Sequence, residues 1–105
     1  MTALRLYVAH PDDTVATVFG DPLTRGEQLT VRVRDEERDL VSRAEIARGH
    51  KVALRAMATG ERVIKYGHAI GVASRPIAVG EHVHVHNVES ERGRGDLAGT
   101  DGGTR

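Results

Sequence analysis

AMATGERVIK, residues 56–65, holds in ten residues a pattern that the chain uses four times. The other copies are PLTRGEQLTV (22–31), EIARGHKVAL (45–54) and PIAVGEHVHV (76–85). Each places an apolar residue three positions before a glycine and another three positions after it. Leu23, Ile46, Met57 and Ile77 precede Gly26, Gly49, Gly60 and Gly80; Leu29, Val52, Val63 and Val83 follow them. A glycine in this setting supplies a turn position with positive φ, which other residues adopt at a cost. The apolar residues on either side close over the turn, and the runs that follow alternate as half-buried strands do. The spacing between copies is irregular, which excludes a solenoid. The pattern predicts one compact, mainly β body that turns sharply several times. Val15–Phe19 and Leu29–Arg34 read as further strands. Ser42 with Glu45 three residues on has the form of a capping box, which predicts a short helical turn over Arg43–Ala47 and little other helix.

The chain has 105 residues, enough for one domain with a modest core. Its aromatic residues are Tyr7, Phe19 and Tyr66, so the core must be built from Val, Leu, Ile and Ala. Such a body gains from a partner, and a homo-oligomer is compatible with it. Fifteen basic residues balance fifteen acidic ones. That balance argues against nucleic acid as a partner, because such binders neutralise phosphates with clustered Lys and Arg. RDEERD, Arg34–Asp39, reads as a solvated turn. The absence of cysteine excludes disulfides, thiolate metal sites and a cysteine nucleophile. No apolar run approaches the roughly 20 residues needed to span a membrane, and the start has no signal-peptide core. A soluble cytoplasmic protein is the expectation. The Gly- and charge-rich stretch 89–105 has little to bury and is expected to be a disordered tail, which leaves 1–88 as the folded domain.

The residues able to carry chemistry gather in GEHVHVHN, Gly80–Asn87. On a regular strand His82, His84 and His86 share one face, and Val83 and Val85 the other. At about 3.3 Å per residue, neighbouring imidazoles lie roughly 6.6 Å apart and the outer two about 13 Å. A metal–imidazole bond is about 2 Å, so a metal on such a strand needs ligands from elsewhere, with His10, Asp12, Asp13, His50, Glu61 and His68 available. The row alone leaves three readings open: a polar face on an edge strand, a surface for an anion or substrate, or a metal site. GHK, Gly49–Lys51, offers a proton-transfer group beside a fixed cation. Lys65 interrupts the apolar run of VIKYG and either snorkels outward or pairs with an anion. HPDD, His10–Asp13, reads as a turn initiator. Signatures such as GxSxG, a P-loop, GxGxxG and HExxH are absent.

In combination, GHKVAL (49–54), GERVIKYGHAIGVA (60–73) and IAVGEHVHVHN (77–87) resemble the N-terminal SAF-type domain of the altronate dehydratase family, which includes galactarate dehydratase and the small subunit of sulfolactate sulfo-lyase. The resemblance runs from about Leu4 to Val88 and is densest between Ile46 and Asn87. It implies a β-clip fold like that of type III antifreeze proteins, a small contorted β body with one or two short helical turns. It implies a role in eliminating water, or sulfite, from an anionic hydroxy acid, with a separate large catalytic subunit as partner. By similarity, His50, Lys51 and His84 map to catalytic roles, and Lys65, His82, His86 and Asn87 to substrate binding. A divalent metal, iron or manganese, is implied mainly on the large subunit, with His82, His84 and His86 as the candidate ligands on this chain. The family's HPxDN reads HPDDT here, with Thr14 in the asparagine's place, which puts any role of that amide in doubt. The rival expectation is a non-catalytic SAF-type module that recognises an acidic sugar or a protein.

Overall fold

The computed structural model describes residues 5–33 and 36–90. Among them are nine strands and no helix. In chain order they are β1 (Leu6–Tyr7), β2 (Val15–Val18), β3 (Gln28–Val33), β4 (Glu36–Val41), β5 (Lys51–Ala53), β6 (Arg62–Lys65), β7 (His68–Ala73), β8 (His82–Val83) and β9 (Val88–Glu89). Every pairing is antiparallel: a four-stranded sheet β1-β2-β5-β8, the hairpin β3-β4, and a three-stranded sheet β6-β7-β9. None of the described elements is a helix long and apolar enough to cross a membrane.

β2 and β5 explain how so small a chain builds a core without large aromatics. Val15 pairs with Ala53, and Ala16 with Val52. Successive side chains on a strand point to opposite faces. Ala16, Val18 and Val52 therefore join one apolar cluster, with Leu23, Leu29, Val31, Val33, Leu40, Ile46 and Leu54. Val15 and Ala53 join the other, with Met57, Val63, Ala73, Ile77 and Val83. A strand pair buried on both faces must be apolar throughout and small enough to fit, as VATV and KVA nearly are. β3 has a single buried face, and Leu29, Val31 and Val33 alternate inward along it.

The four glycine turns have the predicted conformation. Gly26, Gly49, Gly60 and Gly80 have φ of 85°, 88°, 87° and 85°. In each turn the residue after the glycine donates its N–H to the carbonyl two residues before it: Glu27 to Thr24, His50 to Ala47, Glu61 to Ala58 and Glu81 to Ala78. Positive φ at the third position with that hydrogen bond defines a type II turn. The apolar residues before the glycines meet in pairs, Leu23 bridging Ile46 and Met57 bridging Ile77. The four turns thus form two couples, one per core cluster.

Three expectations need correction. The helical turn over Arg43–Ala47 does not form. Ile46 exchanges backbone hydrogen bonds with Leu23 in both directions, 2.9 and 3.0 Å, and Ser42 Oγ donates to the Ala44 carbonyl. Burying Ile46 in the bridge spends the N–H that a helix needs. The charged run is not a turn over its described part: Glu36–Asp39 lies in β4, paired with Thr30 to Val33 of β3. It is solvated as expected, because the outward face of a hairpin arm needs no apolar residue. Arg34 and Asp35 lie outside the described residues. The third correction concerns 84–87 and is taken up with the site below. At the C-terminal end β9 includes Glu89, which pairs with Val72; the expected tail lies outside the described residues from 91 on.

Gly80 and Gly26 separate two costs of replacing a turn glycine. A Cβ on Gly26 would meet nothing within 4 Å, whereas one on Gly80 would lie 1.9 Å from the Val41 carbonyl oxygen. Gly26→Ala is therefore expected to cost only the backbone strain, about 1–2 kcal/mol. Gly80→Ala adds overpacking against β4, at least about 1 kcal/mol more. Denaturant unfolding of both variants measures the difference; equal losses would remove the close approach of Gly80 to β4.

Candidate functional site

The four turns differ in one residue that matters. After the glycine stand Glu27, His50, Glu61 and Glu81. Each glutamate turns back on its own turn and accepts from its first backbone N–H: Thr24 to Glu27 at 3.1 Å, Ala58 to Glu61 at 3.0 Å and Ala78 to Glu81 at 2.9 Å. Glu27 is further held by Arg5, whose guanidinium keeps its carboxyl below the ordinary value. An imidazole at the same position is not used in this way, and His50 reaches across instead. Its Nδ1 lies 2.9 Å from Nε2 of His82. The signal was present in the sequence as the one GHK among three GE turns.

Register explains why His84 joins them. β5 pairs with β8 as Lys51 opposite Val83 and Val52 opposite His82. One step further along sets His84 opposite His50, and their rings stack with centroids 4.5 Å apart. The His82 and His84 rings lie 5.4 Å apart, and His86 is 5.2 Å from His82. The imidazoles gather from the residue before β5, from β8 and from the turn after it, rather than standing in one row.

The regular strand expected over 82–86 ends at Val83. Residues 84–87 form a turn closed by the Asn87 N–H on the His84 carbonyl, 3.1 Å. The Asn87 side chain is fully buried. Its Oδ1 accepts from the His84 N–H at 2.9 Å, and its Nδ2 donates to the His82 carbonyl at 2.8 Å. Two expectations change. Asn87 is not at a substrate-facing surface; both ends of its amide are committed to the backbone, and it holds His84 in place. Val85 does not share a face with Val83; it is 81% exposed, while Val83 is fully buried. Both polar atoms of the buried Asn87 amide have a backbone partner in this turn, and the turn leaves Val85 in solvent.

Lys51 stands beside the cluster at the start of β5. Burial, and then repulsion from Lys65, lower its pKa from the ordinary value. Lys65 itself lies 4.9 Å from the centre of the Tyr66 ring. Lys51 and His84 line an open cleft of about 300 Å³ with Ile70, Val85, Val88, Glu89 and Ser90. The remaining candidate ligands lie elsewhere. Glu61 pairs with Arg55 at 2.7 Å. The HPDD turn forms as read, closed by the Asp13 N–H on the His10 carbonyl. Asp13 is buried there and accepts from the N–H groups of His10 and Gly67. Thr14, where the family pattern has asparagine, accepts from the Ile64 N–H through its hydroxyl at 3.0 Å.

Three imidazoles offer one nitrogen each, all within 4.8 Å of one another: His50, His82 and His84. This donor set fits a divalent metal of borderline softness. His10, Asp12, Asp13 and His68 take no part in it, and neither does His86.

A small body of short antiparallel strands agrees with what sequence comparison finds. Residues 4–91 match the altronate/galactarate dehydratase SAF domain, and the chain belongs to that family. It is 43% identical over 89 residues to the (2R)-sulfolactate sulfo-lyase subunit alpha of Chromohalobacter salexigens, covering 82% of this chain and 95% of that one. It is 42% identical over 81 residues to the altronate dehydratase of Escherichia coli (strain K12), and 36% identical over 86 residues to that of Bacillus subtilis (strain 168). Those matches cover 77% of this chain but only 15% of either dehydratase.

Burial, then the neighbouring His50, lower the pKa of His82 from its ordinary 6.5. His84 is lowered in the same direction. The folded chain therefore holds these rings neutral at pH values where the unfolded chain protonates them, and acidification through 6.5 destabilises the fold. The melting temperature is expected to fall between about pH 7.5 and 5.5, and to fall less in His82→Gln. The Arg5–Glu27 pair acts in a lower window, because the depressed Glu27 loses its contribution only below its ordinary 4.5. Melting curves across the range decide; an identical slope in His82→Gln would show that the ring is unperturbed by its surroundings.

Proposed function

We propose that this chain is the small subunit of a hydroxy-acid lyase of the altronate dehydratase type, and that it lends residues to an active site completed by a larger catalytic chain. The observation that carries the reading is the pairing of Lys51 with His84 on the wall of one open cleft. At about 300 Å³ that cleft stands at the lower limit of ligand pockets and is open to solvent, so a second surface is needed to close it. Apolar Val85 and Ile70 stand exposed at its rim, as a docking contact requires. That a relative named as an alpha subunit matches over 95% of its length supports a free-standing role.

The chemistry suits these groups. Eliminating water or sulfite from a hydroxy acid removes a proton next to the carboxylate and expels the group on the neighbouring carbon. Negative charge grows on the carboxylate side as the proton leaves. Lys51, partly desolvated, is positioned to hold the carboxylate and that growing charge. His84, neutral near pH 7, accepts a proton or passes one to a departing hydroxyl. Lys65, next to Lys51, adds to the positive field that draws an anion in. Of the implied metals, iron is the one that the three nitrogens of His50, His82 and His84 fit, and when bound it supplies Lewis acidity toward the leaving group. Asn87 keeps His84 in register.

Co-expression of the full chain with the larger chain from the same source, assayed on altronate, galactarate and sulfolactate, tests the reading. Neither chain alone is expected to turn over. In the complex, Lys51→Met should lower kcat/KM by about 100-fold or more, and His84→Gln should lower kcat with assembly intact. Val85→Asp should leave melting unchanged and weaken association, since its side chain is in solvent. Full activity of the larger chain alone, or a Lys51→Met complex as active as wild type, would leave this chain a non-catalytic binding module.

A further inference from the structure

The lyase reading names His50, His82 and His84 as the residues that fit a metal, and their geometry carries further than that role needs. We infer that His50, His82 and His84 form a divalent transition-metal site complete enough to bind an ion without the larger chain. Because it concerns the chain alone, this inference fails or stands independently of the proposed activity.

Imidazole nitrogens bind such ions at about 2.0–2.1 Å, so two ligand atoms on one ion lie roughly 2.9–3.4 Å apart when adjacent and about 4.2 Å when opposite. The His50 Nδ1 to His82 Nε2 separation is 2.9 Å, the adjacent spacing. All three nitrogens fall within 4.8 Å, which a small rotation of one ring brings into range. A hydrogen bond between two neutral rings accounts for His50 and His82 alone. The register that stacks His84 on His50 brings a third nitrogen to the same point, one that this hydrogen bond does not use.

The backbone under each ring is fixed by something other than the ring. His50 follows a type II turn whose Gly49 N–H donates to the Val18 carbonyl at 2.6 Å. His82 is paired in β8. His84 is clamped by the buried Asn87 amide. Ligands held in this way need little reorganisation on binding. All three rings are partly exposed, so an ion has access. His84 also lines the cleft, so an ion held there borders it.

The donor set selects the ion. Three nitrogens with no carboxylate or carbonyl oxygen favour zinc, cobalt, nickel, copper or iron, and disfavour magnesium, calcium and manganese. The open coordination positions are those of a site able to take a water or a substrate oxygen.

The full chain, stripped with chelator, is titrated with Co²⁺ and Zn²⁺ by calorimetry, with the visible absorption of Co²⁺ followed in parallel. One ion per chain and a nitrogen-ligated Co²⁺ spectrum are expected, with Mg²⁺ and Mn²⁺ silent at the same concentrations. His50→Gln, His82→Gln and His84→Gln should each weaken binding at least about tenfold, the least expected when a ligand rather than its support is lost. His86→Gln and His68→Gln should change it less than about twofold, inside that margin. In the wild-type chain, the imidazole NMR signals of the three ligands should shift with Zn²⁺ while that of His68 stays; this readout needs no variant to fold. Absence of binding, or loss as large for His86→Gln as for His84→Gln, would overturn the assignment.

Discussion

The pairing of β2 with β5 is the constraint on which the rest depends. Both strands are covered on both faces, so their few small residues serve two apolar clusters at once. That arrangement lets a chain with three aromatic residues bury enough surface to fold. It also fixes where chemistry can occur. A strand with no free face can offer polar side chains only at its ends. Lys51 opens β5, and His50 precedes it. At the sheet's border β8 adds His82, and the turn that follows it adds His84.

Two local substitutions on a repeated theme then make a site. Three of the turns close with a glutamate that caps its own backbone, and the fourth has a histidine whose ring is available to its neighbours. At the other end of the pairing, Asn87 uses a buried amide to stop the strand after Val83 and to turn His84 toward His50. Neither device involves unusual backbone chemistry. The site comes from a capping residue that no longer caps and a strand that ends early.

Much of this was legible in the chain. The glycines with apolar residues three positions to either side gave the turns, their positive φ and the mainly β character, because only glycine adopts that φ at low cost. The alternation of QLTVRV gave β3. What could not be read locally was whatever depends on a distant partner. Ile46 looked helical until Leu23 claimed its N–H. Glu36–Asp39 looked like a turn because an exposed hairpin arm and a loop have the same composition. The period of HVHVH argued for a strand through Val85, and the argument failed at Asn87, whose amide satisfies two backbone groups that a strand would have left to a neighbour. His50 and Lys51 were found as candidates from GHK, but that His50 meets His82 depends on a pairing across 32 positions.

The early end of β8 has a consequence for how the chain behaves among copies of itself. The four-stranded sheet is bordered by β1 and β8, each two residues long. An edge strand with unpaired N–H and C=O groups is a template for another chain, and very short edges are one of the ways proteins blunt it. Had 84–87 continued as a regular strand, the histidine row would have lain along an extended open edge, with backbone groups ready to pair with a second molecule. Folding those residues into a turn turns their hydrogen bonds inward, through Asn87, at the same border where the imidazoles collect. The feature that gathers the candidate ligands therefore also keeps the sheet from growing past them.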